Sequence, residues 1–222
     1  LLLIMTVGWG GPFVMLISQG MRHVEASLFG PLVPGLLPMV VVFWTALVEG
    51  VRPTRGRIVG LVFIGLSVAM ILVPALVTTD SEVLRGAPWL LTACCGWSAF
   101  TIAFRQTRLS GVEAAAYVCL YSTPFVCAAA FIVGSELPEF PASEVVYQVV
   151  VQGVLSGTVS VACYGYGVRS LGLARASAFT SLVPVGAAIG GWAWLGEAPG
   201  AAGWAAAVAA CIGVLLVNRY AR

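Results

Sequence analysis

The sequence predicts an all-α integral membrane protein. This follows from its composition, from the spacing of its charged residues and from the distribution of its arginines. The chain is 60% hydrophobic and 9% charged, with a mean hydropathy of +1.00. A soluble domain carries about 25% charged residues. A protein surface with so few charges is poorly solvated by water. We therefore expect most of the surface of this protein to face lipid.

The gaps between Arg, Asp and Glu residues define eight uncharged runs of 19 to 24 residues each. A helix needs roughly 20 apolar residues to cross the hydrocarbon core. A barrel strand would need about 10 residues of alternating polarity, a pattern that these runs lack. We therefore predict eight transmembrane helices. They cover residues 1–21, 26–48, 58–79, 86–104, 114–135, 145–168, 176–196 and 198–218.

The arginines predict the orientation of these spans. Nine of the eleven fall in every second connecting loop or in the C-terminal tail, and the chain has no lysine. Loops rich in Arg and Lys remain in the cytoplasm. We therefore expect a multi-pass protein of the plasma membrane, in a bacterium the inner membrane, with residues 219–222 as a cytoplasmic tail.

The chain contains an internal repeat. An Ala-Ser pair followed by Leu-Val-Pro occurs at 26–34 and again, 150 positions later, at 176–184. The residues Glu49 and Gly65 have counterparts 148 positions later, which are Glu197 and Gly213. The two copies lie five spans apart, so they cross the membrane in opposite directions. Such inverted repeats are typical of secondary transporters.

Two stretches carry a resemblance to a known family. "HVEASLFGPLVPGLLPMVVVFWTALVEGVRPTRGRIVGLVFIGLSVAMILV" and "ARASAFTSLVPVGAAIGGWAWLGEAPGAAGWAAAVAACIGVLLVNR" resemble the first and second repeats of the EamA family, in the drug/metabolite transporter superfamily. The resemblance implies ten helices in two inverted halves (5+5) around a central cavity. Residues 1–79 would then be an incomplete first repeat with three helices, and 86–218 a complete second repeat with five. The chain would be a fragment lacking the first two helices.

The repeat and the resemblance together predict a secondary transporter that does not use ATP. We expect export of small metabolites, such as amino acids or related compounds, by alternating access around a midplane cavity. The expected partners are the lipid bilayer, a small-molecule substrate, and a proton or a counter-solute as the coupled species. A truncated, non-transporting membrane protein or scaffold and a channel remain as alternatives.

The sequence offers little for catalysis. Its single histidine, His23, lies in a loop, and no carboxylate lies in the middle of a span. An enzyme would need a cluster of acid, base or metal-binding groups. We therefore predict no enzyme activity, no catalytic residue, no metal and no cofactor, and nothing suggests nucleic-acid binding.

Polar and aromatic residues inside the spans are the candidates for the substrate cavity. Among them, Gln152, Ser156 and Ser160 recur every four residues and share one helix face. Hydrogen bonding between helices is the alternative role for such residues. The full set of candidates is Trp9, Gln19, Trp97, Thr101, Tyr121, Gln152, Ser156, Ser160, Tyr164 and Ser181.

Two further pairs come from the matched positions of the repeat. Pro34 and Pro184 are hinge or broken-helix candidates, because proline removes an intrahelical hydrogen bond. Glu49 and Glu197 are helix-end carboxylates. Each could serve as a gate or in ion coupling, or could instead be a headgroup-level anchor that caps the start of the next helix.

Overall fold

A computed structural model describes residues 1–79, 81–134, 140–159, 163 and 180–220. These residues form helices joined by short turns, and none of them lies in a strand. The α-helices are α1 (Leu2–Trp9), α2 (Gly11–Met21), α3 (Ala26–Leu32), α4 (Leu37–Val48), α5 (Arg55–Thr78), α6 (Ser81–Arg105), α7 (Gly111–Val133), α8 (Ala142–Gln148), α9 (Val183–Gly190) and α10 (Ala201–Arg219). Wider π-helical turns continue α8 over Val149–Val159. A 3-10 turn over Thr180–Leu182 precedes α9, and π-helical turns over Gly191–Leu195 follow it.

The prediction of an all-α membrane protein is confirmed. Six helical segments in the described part of the chain have the length and apolar character that a membrane crossing requires. They match six of the eight predicted runs. The other two runs, 145–168 and 176–196, lie partly outside the described residues. The described end of the second contains a shorter apolar helix, Val183–Leu195.

Local capping explains where several helices begin. Ser110 and Glu113 form a capping box at the start of α7, in which each side chain binds the other residue's backbone N–H. Thr54 accepts a hydrogen bond from the N–H of Arg57 at the start of α5. These contacts satisfy backbone donors that have no partner within the first helical turn.

Among the described helices, α5 and α10 make the most extensive contact. Glycines make this approach possible. A Cβ added to Gly60 would lie 2.8 Å from the carbonyl oxygen of Gly213, and a Cβ on Gly213 would lie 2.8 Å from that of Gly60. Small residues allow such close backbone contact between membrane helices. At Gly65, the repeat counterpart of Gly213, no described neighbour lies within 4 Å of the Cβ position.

Two of the spans are interrupted. The first is broken at Gly10, between α1 and α2, and the second is broken over residues 33–36, between α3 and α4. The second break contains Pro34, whereas Pro184 lies in the first turn of α9. The matched prolines therefore occupy different local positions, one between two helices and the other at a helix start.

Candidate functional site

The break in the first span is held by the second half of the chain. The N–H of Gly11 donates to the Ser122 hydroxyl oxygen at 3.1 Å, in a buried position. Ser122 lies on α7, and a Cβ at Gly10 would overlap its hydroxyl. This contact satisfies a backbone donor that the interrupted helix leaves free. Interrupted helices of this kind form the substrate and ion sites of many secondary transporters.

An aromatic cluster lies beside this break. Trp9, the last residue of α1, stacks on Trp97 of α6 with ring centroids 5.6 Å apart. Phe100 meets Trp9 edge-on at 4.4 Å, and Phe13 meets Trp97 edge-on at 5.9 Å. Trp9 is 39% exposed, whereas Phe13 and Phe100 are buried. The cluster therefore packs the end of α1 and the start of α2 against α6 and leaves part of the Trp9 side chain exposed.

A cavity of about 480 Å³ lies on a neighbouring face of α6, between this helix, α1 and α4. It is mostly apolar, and the lining residues that carry a polar side-chain group are Trp44, Cys95, Ser98 and Gln106. The Ser98 hydroxyl donates to the Cys94 carbonyl at 2.8 Å, so its oxygen remains an acceptor. The lining residues are Leu1, Ile4, Val40, Trp44, Cys95, Ser98, Ala99, Ile102, Ala103 and Gln106.

An ion pair joins the ends of the two longer helices that line the cavity. Arg105, the last residue of α6, donates through Nη2 to Oε1 of Glu49, which follows α4. The Arg105 side chain is 54% exposed and that of Glu49 is 33% exposed. Gln106, the next residue after Arg105, lines the cavity itself. The ion pair therefore lies at the same end of the cavity as this amide.

The two copies of the repeat motif cross each other. A Cβ on Gly30 of α3 would lie 2.6 Å from the Cα of Pro184, and a Cβ on Gly191 would lie 3.1 Å from the backbone nitrogen of Ser27. The crossing is therefore a contact of backbone against backbone. It brings the proline of the second copy against the first turns of the matched helix in the first copy.

Next to the same crossing, a carboxylate from the second copy of the motif binds the start of α3. Glu197 Oε2 accepts a hydrogen bond from the N–H of Ala26 at 2.6 Å. Glu25, which precedes α3, makes no capping hydrogen bond of its own among the described residues. Glu197 thus supplies the cap of α3 from the other half of the chain, and its carboxylate does not bind the start of α10, the helix that follows it.

Comparison with known proteins identifies the family. The profile of the EamA-like transporter family matches residues 84–219, which is more than half of the chain. The chain belongs to the EamA-like transporter family. No curated protein and no solved structure matches it. The six long apolar helices in the part of the chain that the structure describes agree with this family of multi-pass membrane transporters in the drug/metabolite transporter superfamily.

In this EamA-family chain, the structure brings some of the predicted cavity residues together and separates others. Trp9 and Trp97 are in contact, and the Thr101 hydroxyl donates to the Trp97 carbonyl at 2.9 Å. Tyr121 is exposed and stacks on Tyr117. Gln19, Gln152 and Ser156 are exposed and Ser181 is buried, whereas Ser160 and Tyr164 lie outside the described residues.

Several residues that line the cavity in this EamA-family protein were not predicted from the sequence, above all Trp44, Cys95 and Gln106. One signal was present. Cys95, Ser98, Ile102 and Gln106 follow the three- and four-residue spacing of one helix face. This spacing could not distinguish a face that lines a cavity from one that faces lipid, because both are apolar.

Proposed function

We propose that this EamA-family chain is a secondary transporter that exports small metabolites, such as amino acids or related compounds. It would work by alternating access of two inverted halves. The observation that carries the proposal is the cavity between α1 and α4 of the first predicted repeat and α6 of the second. Its volume and mostly apolar lining suit a solute of amino-acid size with an apolar side chain.

Two structural features support the alternating movement. The break at Gly10 gives the first span two short helices that can reorient separately. The crossing of α3 and α9 packs the two repeat copies against each other, so a rocking movement of one half changes this contact. A proton or a counter-solute is the coupled species that we propose.

The proposed location is the plasma membrane, with the C-terminus in the cytoplasm. In this orientation, α4 runs towards the cytoplasm and α6 ends there. The cavity end that carries Gln106 and the ion pair between Glu49 and Arg105 then faces the cytoplasm. A transporter that exports metabolites would load its solute from this side.

The native thiol of Cys95 provides a direct test, because it lines the cavity. The purified chain would be reconstituted with the other five cysteines replaced by serine, and the rate of maleimide labelling at Cys95 would be measured with a panel of amino acids and related metabolites. Transport of the protecting solutes would then be followed in proteoliposomes with and without a proton gradient. We expect at least one solute to slow labelling and to be transported.

A matched pair of variants controls this test. Ala99→Phe fills the cavity and should abolish both protection and transport, whereas Ala116→Phe, on an exposed face of α7, should leave both unchanged. Transport that survives Ala99→Phe would place the substrate elsewhere. An absence of protection and of transport across the whole panel would favour a non-transporting scaffold.

A further inference from the structure

The ion pair between Glu49 and Arg105 differs from the contact made by its repeat counterpart. Glu197 binds a backbone N–H, that of Ala26, whereas Glu49 binds a side chain. A backbone donor is fixed by the fold. A half-exposed arginine side chain can exchange one carboxylate for another without any movement of the helices.

We propose that Arg105 is a specificity-determining residue that selects solutes carrying a carboxylate, and that Glu49 occupies its guanidinium when the cavity holds no solute. This proposal rests on the transport function proposed above. The guanidinium offers a planar set of donors that matches a carboxylate in two parallel hydrogen bonds. An incoming carboxylate would displace the Glu49 side chain and bind in its place.

The position of the pair supports this role. It connects the ends of α4 and α6. The helix α4 supplies Trp44 to the cavity, and Gln106, which also lines it, directly follows the last residue of α6. Among the described lining residues, none is charged. A solute that enters the cavity with its apolar side chain first would therefore leave its carboxylate at the end where Arg105 lies.

The energetics also favour exchange. An exposed ion pair contributes little to stability, because solvent screens it. The contact with Glu49 therefore costs little to break. A solute carboxylate that replaces Glu49 keeps the guanidinium paired in a charge-assisted hydrogen bond.

The experiment uses protection of Cys95 from maleimide as its binding signal, in the chain with the other five cysteines replaced. The probes are L-leucine and L-leucinamide, and L-phenylalanine and L-phenylalaninamide, which differ within each pair only at the carboxylate. We expect the acid to protect at a concentration roughly tenfold lower than the amide, as for a hydrogen bond to a charged group.

Substitutions of the two partners should act in opposite directions. Arg105→Gln should make acid and amide equally effective, and Arg105→Lys should restore part of the preference. Glu49→Gln should lower the concentration of acid that protects, because the competing carboxylate is gone. Arg108→Gln, which alters an exposed residue in the loop that follows α6, is the control and should change nothing.

A purely structural ion pair would give a different result, since both substitutions would then weaken binding of acid and amide alike. That outcome, or an unchanged preference for the acid in Arg105→Gln, would overturn the role of Arg105 and leave the cavity as the proposed site. A failure of all four probes to protect Cys95 in any variant would overturn amino-acid binding in this cavity, and the role of Arg105 with it.

Discussion

The carboxylate of Glu197 accepts a hydrogen bond from the backbone N–H of Ala26 at 2.6 Å, although the two residues are 171 positions apart. Glu197 ends the motif in the second copy of the repeat, and Ala26 begins the motif in the first. One hydrogen bond therefore joins the two copies. It also places a negative charge at the positive end of α3, where the helix dipole favours it.

We expect Glu197→Ala to destabilise the chain by about 1 kcal/mol, the usual cost of a lost helix cap. For a chain of this size, that corresponds to a decrease in Tm of about 2–4 °C. Glu197→Gln should have a smaller effect, because it keeps an acceptor oxygen and loses only the charge. Thermal unfolding in detergent would measure both changes.

The control for this prediction is Glu144→Ala, which alters an exposed glutamate on α8 and should leave Tm unchanged. Equal Tm values for Glu197→Ala and Glu144→Ala would show that the contact with Ala26 contributes nothing to stability.

Gly213→Ala should destabilise the crossing of α5 and α10. The added Cβ would lie 2.8 Å from the Gly60 carbonyl and 2.6 Å from the Ile64 side chain, so the helices must separate. Overpacking of this kind costs about 1–3 kcal/mol. Gly65→Ala is the matched control, because its Cβ meets no described neighbour within 4 Å. Similar denaturation curves for the two variants would contradict the prediction.

Ser122→Ala should reduce the protection of the backbone at the break in the first span. The N–H of Gly11 would lose its acceptor in a buried position, at a cost of about 1–3 kcal/mol. Hydrogen exchange measured by mass spectrometry should become faster in the peptide that contains Gly11. Ser122→Thr keeps the hydroxyl and tests whether this group alone accounts for the protection.

Thr123→Ala is the neighbouring control, because that hydroxyl donates to the Cys119 carbonyl of its own helix on an exposed face. If it accelerates exchange at Gly11 as much as Ser122→Ala does, the effect comes from α7 as a whole rather than from one hydrogen bond.

The predicted orientation can be tested with single cysteines in a background that lacks the six native ones. We expect Glu144→Cys to react with a membrane-impermeant maleimide added to intact cells. Arg108→Cys should react only after the membrane is permeabilised, because the positive-inside rule places its loop in the cytoplasm. Labelling of Arg108→Cys in intact cells would reverse the proposed topology.

The sequence alone determined the class of the protein and the positions of most spans. The hydrophobic runs are a local property, since a helix must be apolar over about 20 consecutive residues to lie in lipid. The family match agrees with the resemblance seen in the motif residues. The interruption near Pro34 also follows from local chemistry, because proline lacks the N–H that continues a helix.

Only the tertiary structure decided which faces of these helices meet. Lipid and protein interior are both apolar, so hydropathy does not distinguish a lipid-facing side from a packed one. Gly65 and Gly213 are equivalent in the repeat, yet only Gly213 lies in a close crossing. The cavity and the contact between Glu197 and Ala26 likewise join residues distant in sequence, because helix packing, rather than any local pattern, brings them together.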